Sequence, residues 1–323
     1  MSSVLTACST SARAGESQVY LEPTLQQIAR STDEAHLALP EPRSATQAPQ
    51  SIASVDIEVD DITSTKTVNI LTTPFAEKKI TEEAPLPSCL LRGGQMITST
   101  FATDLIPLPL DYRVYLPPCY RQSHEQRYPL LILIHGQSFT DDQWDRLGVD
   151  ETIDRLVLSG ELPPFIVLMP RDRYGGESNE NNFAKAVVDE LLPFIDETYR
   201  TNTDRQYRAV GGLSRGAGWA VHMGMVYWEE FSKIGAHSPA IFYTDAQRMR
   251  TWLDTLPRDQ LPSLFVDIGE RDRPAILDSA YWLAGLLNEK DIAHEWYLFA
   301  GFHNEEYWAS HVEQYLRWYA QNW

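Results

Sequence analysis

Along residues 86–323, short apolar runs alternate with longer stretches in which apolar positions recur every three or four residues. Leu130–His135 (LLILIH) and Phe165–Met169 (FIVLM) carry no polar alternation, the pattern of strands covered on both faces. Met96–Thr103 and Tyr112–Leu116 read as two further strands, joined by a turn containing Pro107 and Pro109. Tyr207–Gly212, Ile234–Ala236, Leu264–Ile268 and His294–Phe299 complete the strand set. Ile153–Leu158, Arg215–Trp228, Ala275–Glu289 and Glu305–Tyr319 read as helices, as does Phe183–Tyr199, whose Val187, Val188, Leu191, Leu192 and Ile195 share one face. Repeated strand-then-helix order predicts an α/β domain over residues 86–323, with a mainly parallel central sheet and helices on both faces.

The first 85 residues have a different texture. Residues 9–51 are rich in Ser, Thr, Ala, Gln, Glu and Pro, too polar to offset their ordering entropy, and read as a disordered tether. Residues 52–85 read as a linker in which Val55, Ile57 and Val59 alternate weakly enough for a short strand or two. Leu5-Thr6-Ala7-Cys8 resembles a bacterial lipobox, which would make Cys8 a lipid anchor. The seven residues before Cys8 lack the basic start and apolar core of such a signal, which a start further upstream would supply. A free cysteine in an extended tail is the other reading. Cys89 and Cys119 each flank an expected strand, and in an exported protein they would close a loop of about 30 residues, worth about 3–4 kcal/mol. Two unrelated thiols are the alternative. An extracytoplasmic location, lipid-anchored or secreted, is the expectation.

Composition narrows the function. The 323 residues are 43% hydrophobic, ample for a core, and carry 45 Asp and Glu against 27 Lys and Arg, a formal charge of −18. With no dense Lys/Arg cluster, such a surface is a poor match for nucleic acid. No apolar run approaches the roughly 20 residues of a membrane helix. A soluble enzyme or binding protein remains.

The strongest chemical signal is Gly212-Leu213-Ser214-Arg215-Gly216, a G-x-S-x-G between an expected strand and an expected helix. Such a turn holds a nucleophilic serine exposed at the sheet edge, and small flanking residues let the chain pass its neighbours. Gly216-Ala217-Gly218 as half of a dinucleotide loop is a weak competitor, since the third small residue and a suitable acid are missing. A serine nucleophile needs a base, and the base an orienting acid, arriving in the order Ser, Asp/Glu, His. His222 and His311 fall within helices and His294 opens a strand, whereas His303 sits in the loop after the last strand and is the expected general base. Asp272, in the loop after Leu264–Ile268, is the expected acid, with Asp267 next and Glu270 in the same loop. Backbone N–H groups of Gln137 and Arg215 are the expected oxyanion hole, with His135 structural. Trp144, Trp219 and His237 are candidates for lining the substrate site. No His/Cys/Asp spacing suits a metal, and neither metal nor cofactor is expected.

Taken together, Tyr128-Pro129, Ile134-His135-Gly136, Asp141-Asp142-Gln143-Trp144, Gly211 to Gly216, Gly269 with Asp272, and Gly301-Phe302-His303 with Trp308 resemble the esterase D / putative esterase family. That group includes feruloyl and acetyl xylan esterases, enterochelin-type esterases, S-formylglutathione hydrolases and mycolyltransferases. The resemblance covers about Met96 to Trp323. It implies an α/β-hydrolase fold, a nucleophile, acid and base at Ser214, Asp272 and His303, and oxyanion amides at Gln137 and Arg215. The implied activity is ester hydrolysis through an acyl-enzyme, on esters of carbohydrates, aryl acids or small acyl groups. Acyl transfer of the mycolyltransferase type, or a binding module without catalysis, are the alternatives. Many relatives carry a small residue or Met where Arg215 stands. A cation there would sit near the mouth of the site and favour acidic substrates.

Overall fold

A computed structural model describes residues 86–323. The expected tether, linker strands and Cys8 anchor fall outside these residues. In chain order the elements are β1 (Gln95–Phe101), β2 (Leu110–Leu116), β3 (Leu130–Ile134), α1 (Gln143–Arg146), α2 (Val149–Leu158) and β4 (Ile166–Pro170). There follow α3 (Phe183–Lys185), a π-helical stretch (Ala186–Leu191), α4 (Leu192–Thr198), β5 (Arg208–Leu213), α5 (Arg215–Val226), β6 (Lys233–His237) and α6 (Tyr243–Thr255). β7 (Ser263–Gly269), α7 (Pro274–Glu289), β8 (His294–Phe299) and α8 (Glu305–Tyr319) complete the domain. The eight strands form one sheet in the order β1-β2-β4-β3-β5-β6-β7-β8. β2 is antiparallel to both β1 and β4, and the remaining pairings are parallel. This is the mainly parallel sheet that the alternation of elements predicts, in the α/β-hydrolase architecture that the family resemblance implies.

The unbroken apolar runs are explained by burial. Every residue of β3, β4 and β5 is buried. Leu130, Ile132 and Ile134 join one core with side chains of the Phe183–Thr198 stretch, α5, α6 and α7. Leu131 and Leu133 face the other way, into a core with Trp144 of α1, Val149 and Ile153 of α2, and Trp308, Val312 and Tyr315 of α8. Alternate residues of one strand therefore serve two helical layers. The pattern does not announce α6, because Met249 and Leu253 are nearly its only buried apolar side chains. Nor does it announce that Phe183–Thr198 changes to π geometry midway.

Cys89 and Cys119 are disulfide-bonded, with their Cα atoms 5.0 Å apart. The bond ties the short 3-10 turn Leu90–Arg92 ahead of β1 to the loop following β2. Closing a loop of 30 residues restricts the unfolded chain by about 3–4 kcal/mol. Replacing both cysteines by serine is therefore expected to lower the chemical-denaturation stability by about that amount, with a lower midpoint and a steeper slope, because the unfolded chain without the cross-link is less compact. An unchanged midpoint would show that the edge of the sheet is held by β1–β2 pairing alone. Among the described residues, no helix is long and apolar enough to cross a membrane.

Candidate active site

The parallel strands β5, β7 and β8 end on the same edge of the sheet, and each is followed by one of the residues expected to carry the chemistry. Ser214 occupies the junction of β5 and α5 with φ 54° and ψ −115°, a left-handed conformation that is strained for a residue with a Cβ. Surrounding backbone holds it there. Ser214 N–H donates to His237 O at 2.9 Å, and Ser214 O accepts from Ala240 N–H and Gly218 N–H, each at 3.1 Å. The flanking glycines are sterically required. A Cβ on Gly212 would lie 2.2 Å from Gly216 O, and one on Gly216 would lie 2.2 Å from Ile134 O. So sharp a turn brings the first turn of α5 against the ends of β5 and β3.

His303 Nε2 lies 2.9 Å from Ser214 Oγ. On its other side, His303 Nδ1 lies 2.8 Å from Asp272 Oδ1 and 3.0 Å from Oδ2. The Asp272 carboxylate is buried and also accepts Arg273 N–H at 2.6 Å. The loops bearing the acid and the histidine are stitched together by Glu270 N–H to Phe299 O (2.7 Å) and Arg271 N–H to Gly301 O (2.9 Å). Asn304, next to His303, caps α8 by accepting Tyr307 N–H at 3.0 Å. Trp308, one turn on, meets the His303 ring edge-on with centroids 5.0 Å apart. The three side chains thus form one continuous line of hydrogen bonds.

Above Ser214, the loop after β3 is held by Gln143, whose Oε1 accepts Gly136 N–H at 2.8 Å. The next N–H, that of Gln137, has no acceptor among the described residues. His135 Nε2 accepts Asp172 N–H at 3.0 Å and its Nδ1 donates to Gly136 O at 2.7 Å, so the ring is neutral with the proton on Nδ1. Burial holds its pKa below the ordinary imidazole value, against the opposing pull of the Gly136 carbonyl, Asp172 and Asp141, while Arg171 pushes the same way as burial. An unfolded chain protonates this imidazole near pH 6.5 and the folded one only at lower pH, so unfolding takes up a proton within that window. Stability from His135 is therefore complete above about pH 6.5 and is lost as the pH falls through the folded value. The fall in melting temperature between pH 7.5 and pH 5 should be smaller in His135→Asn than in the native chain; equal falls would count against this assignment.

Several expectations need correction. Trp144, Trp219 and His237 are 1%, 0% and 0% exposed, so their side chains pack in the core rather than line a substrate cleft. Trp144 donates its indole N–H to Ile134 O at 3.1 Å, and Trp219 donates to Asp172 Oδ2 at 2.7 Å. His237 is held between Asp267 Oδ1 (2.6 Å, Nδ1) and Tyr319 Oη (2.9 Å, Nε2) and stacks on Tyr315. Asp267, the second candidate acid, lies in that buried cluster, where it also accepts hydrogen bonds from Tyr307 and Tyr315. Arg215 does not offer a free cation. Its Nε donates to Asp172 Oδ2 (2.9 Å), Nη1 to Gly176 O (2.7 Å) and Nη2 to Tyr174 O (2.9 Å).

Two features escaped the sequence reading. Asp172, just past β4, joins the loop of His135 to Arg215 and Trp219. Phe302, adjacent to His303, is 50% exposed and carries the Arg271 guanidinium over its ring at 4.5 Å. Asp172 belongs to no recognisable motif, and Phe302 carries no assigned role within Gly301-Phe302-His303; an Asp just past a parallel strand and an aromatic beside a site histidine are the signals available. Among the described residues, no group of three or more His, Cys, Asp or Glu converges to hold a metal ion.

Comparisons with known proteins give the chain its family and its fold. The Putative esterase family model matches residues 106–321. A Xylanibacter ruminicola protein named endo-1,4-beta-xylanase/feruloyl esterase is 36% identical over 137 residues, 39% of this chain and 19% of that protein. An esterase of Mycobacterium tuberculosis is 30% identical over 180 residues, 52% of this chain and 36% of that one. The chain thus spans between a fifth and about a third of the length of these relatives. A solved ferulic acid esterase superposes with a TM-score of 0.64 at 25% identity, covering 71% of this chain and 98% of its own. The feruloyl esterase module from Clostridium thermocellum, solved with sinapinate, gives 0.61 at 18% identity, covering 74% and 93%. On the match over residues 106–321, the chain belongs to the putative esterase family.

Proposed function

We propose that this chain hydrolyses carboxylic esters through an acyl-enzyme on Ser214. The observation that carries the reading is the line Ser214 Oγ, His303 and Asp272, with contacts of 2.9 and 2.8 Å. His303 Nε2 takes the proton as Ser214 Oγ attacks the ester carbonyl, and Asp272 stabilises the imidazolium through Nδ1–H. The N–H groups of Gln137 and Arg215 receive the tetrahedral oxyanion. Collapse breaks the bond to the alcohol, which leaves with the proton from His303. Water, deprotonated by the same histidine, then attacks the acyl group and releases the acid together with free Ser214.

The relatives named feruloyl esterase favour aryl-acid esters as the substrate class. The exposed Phe302 ring beside His303 offers a face on which an aryl group can stack. The Cys89–Cys119 disulfide favours an oxidising compartment outside the cytoplasm, in keeping with export and with Cys8 as a lipidation site. The test is turnover of methyl ferulate, p-nitrophenyl acetate and p-nitrophenyl butyrate by the full chain, with products quantified. Release of free acid, and preference for the aryl-acid ester in kcat/KM, is the expected result. Acyl groups recovered on an added alcohol instead of in free acid would replace hydrolysis by transfer. No turnover of any of the three would leave a binding module.

A further inference from the structure

The residue after the nucleophile is an arginine whose side chain is turned away from the solvent and used up on the protein. All three of its nitrogens donate to the segment following β4: Nε to Asp172 Oδ2, Nη1 to Gly176 O and Nη2 to Tyr174 O. Its guanidinium also lies over the Phe242 ring, 4.9 Å from the centroid. Asp172 is the hub of this arrangement. Oδ2 accepts Trp219 Nε1–H as well as Arg215, Oδ1 accepts Tyr174 N–H at 2.9 Å, and its own N–H donates to His135 Nε2. His135 passes the connection on through Nδ1–H to Gly136 O, one residue before Gln137. A chain of contacts therefore runs from the side chain of Arg215 to the Gly136–Gln137 peptide, whose N–H is that of Gln137.

We propose that Asp172 is a positioning residue that sets the spacing between the Gln137 and Arg215 amides, with Arg215 and His135 as its two arms. This rests on the esterase reading above, in which those two amides receive the oxyanion. The physical argument is preorganisation. An oxyanion hole contributes only when its donors already point at the place where charge develops, and a displacement near 1 Å costs about 100-fold in rate. The two amides come from different elements, the loop after β3 and the start of α5, and no hydrogen bond joins their own peptides among the described residues. The strained turn fixes Arg215 relative to Ser214, while Gln137 belongs to an exposed loop end that needs its own tether. Asp172 supplies that tether because its buried side chain pairs with the Arg215 guanidinium while its backbone N–H donates to His135. It touches no reacting atom, so its effect must appear in the transition state and not in the binding of the ester.

The test compares the native full chain with Asp172→Ala and Arg215→Met; the second keeps the backbone N–H of position 215 and removes only the side chain. Turnover of p-nitrophenyl acetate is measured beside inhibition by a phenyl trifluoromethyl ketone. That ketone accepts Ser214 Oγ at its carbonyl carbon, passes the serine proton to His303 and leaves an oxyanion in the hole. Both variants are expected to lower kcat by about 10- to 100-fold with KM within about threefold, and to weaken the ketone by the same factor as kcat/KM. A loss that appears as raised KM with the ketone unaffected, or kcat values within twofold of the native chain, overturns the proposal. If Asp172→Ala does not fold, Arg215→Met alone gives the same two readouts. A native chain that hydrolyses no ester overturns the esterase reading and this proposal with it, whereas an active native chain matched by both variants overturns this proposal alone.

Discussion

Replacing Ser214 by alanine is expected to lower kcat for p-nitrophenyl acetate by about 10⁴- to 10⁶-fold while leaving the melting temperature within a degree or two. The rate effect is large because the hydroxyl forms the covalent intermediate, and the donors of the oxyanion hole retain only a small residual advantage over water. The stability effect is small because alanine keeps the Cβ and meets the same left-handed backbone, φ 54°, that serine already tolerates. The hydroxyl's one assigned contact is to His303 Nε2, so its removal leaves no fully buried partner stranded. Steady-state kinetics and calorimetry on the same preparation decide the matter. A folded variant that retains a tenth of the activity would mean that Ser214 is not the nucleophile. His303→Ala and Asp272→Asn should show kcat losses of at least about 10⁴-fold by the same reasoning, because the three groups act as a unit.

Asp267→Ala is expected to do the opposite, costing stability on the order of 3–5 kcal/mol. Asp267 is wholly buried and accepts from three side chains: His237 Nδ1 at 2.6 Å, Tyr307 Oη at 2.6 Å and Tyr315 Oη at 2.8 Å. Its loss strands all three donors in the core, each left without water, at about 1–3 kcal/mol apiece before relaxation. Burial first, and then the Asp267 carboxylate, raise the pKa of Tyr307 and Tyr315, so both remain protonated donors. Tyr319 completes the cluster by lying over the paired Gly211 of β5 and Gly235 of β6, where a Cβ on either would collide with its hydroxyl. Denaturant melts would show the loss directly. A midpoint equal to that of the native chain would show that the three donors find other partners. Set beside Asp272→Asn, which should remove activity and spare the fold, this separates the two aspartates of the β7 end by function.

These two aspartates also mark where the reading of a linear sequence ends. Period and run length were enough for β3 and β4, because strands buried on both faces favour apolar side chains at every position, and the structure buries every one of their residues. They were also enough for α8, whose bounds coincide with the expected Glu305–Tyr319. They were not enough for α6, whose shallow packing leaves too few apolar positions to mark a helix. Glycines spaced around Ser214 announced a turn because close approach of backbone to backbone admits no Cβ. The Cys89–Cys119 bond, expected on condition of export, is formed because the two cysteines flank strands that the structure makes antiparallel neighbours.

What the sequence determined by itself was therefore local or repetitive: the α/β order, the strand-to-helix serine, and the position of His303 in the loop after the last strand. Which polar side chains face each other was decided by the tertiary structure. Asp267 and Asp272 are five positions apart, yet one enters the core beside His237 and the other meets His303. Trp144, Trp219 and His237 have the chemistry of a binding surface, but the two helical layers close over them. Arg215 looks like a cation at the mouth until the segment after β4 folds back and takes all its donors. In each case the physical reason is the same. A side chain's role depends on partners contributed by distant elements, and no period or spacing along one chain records the distances between them.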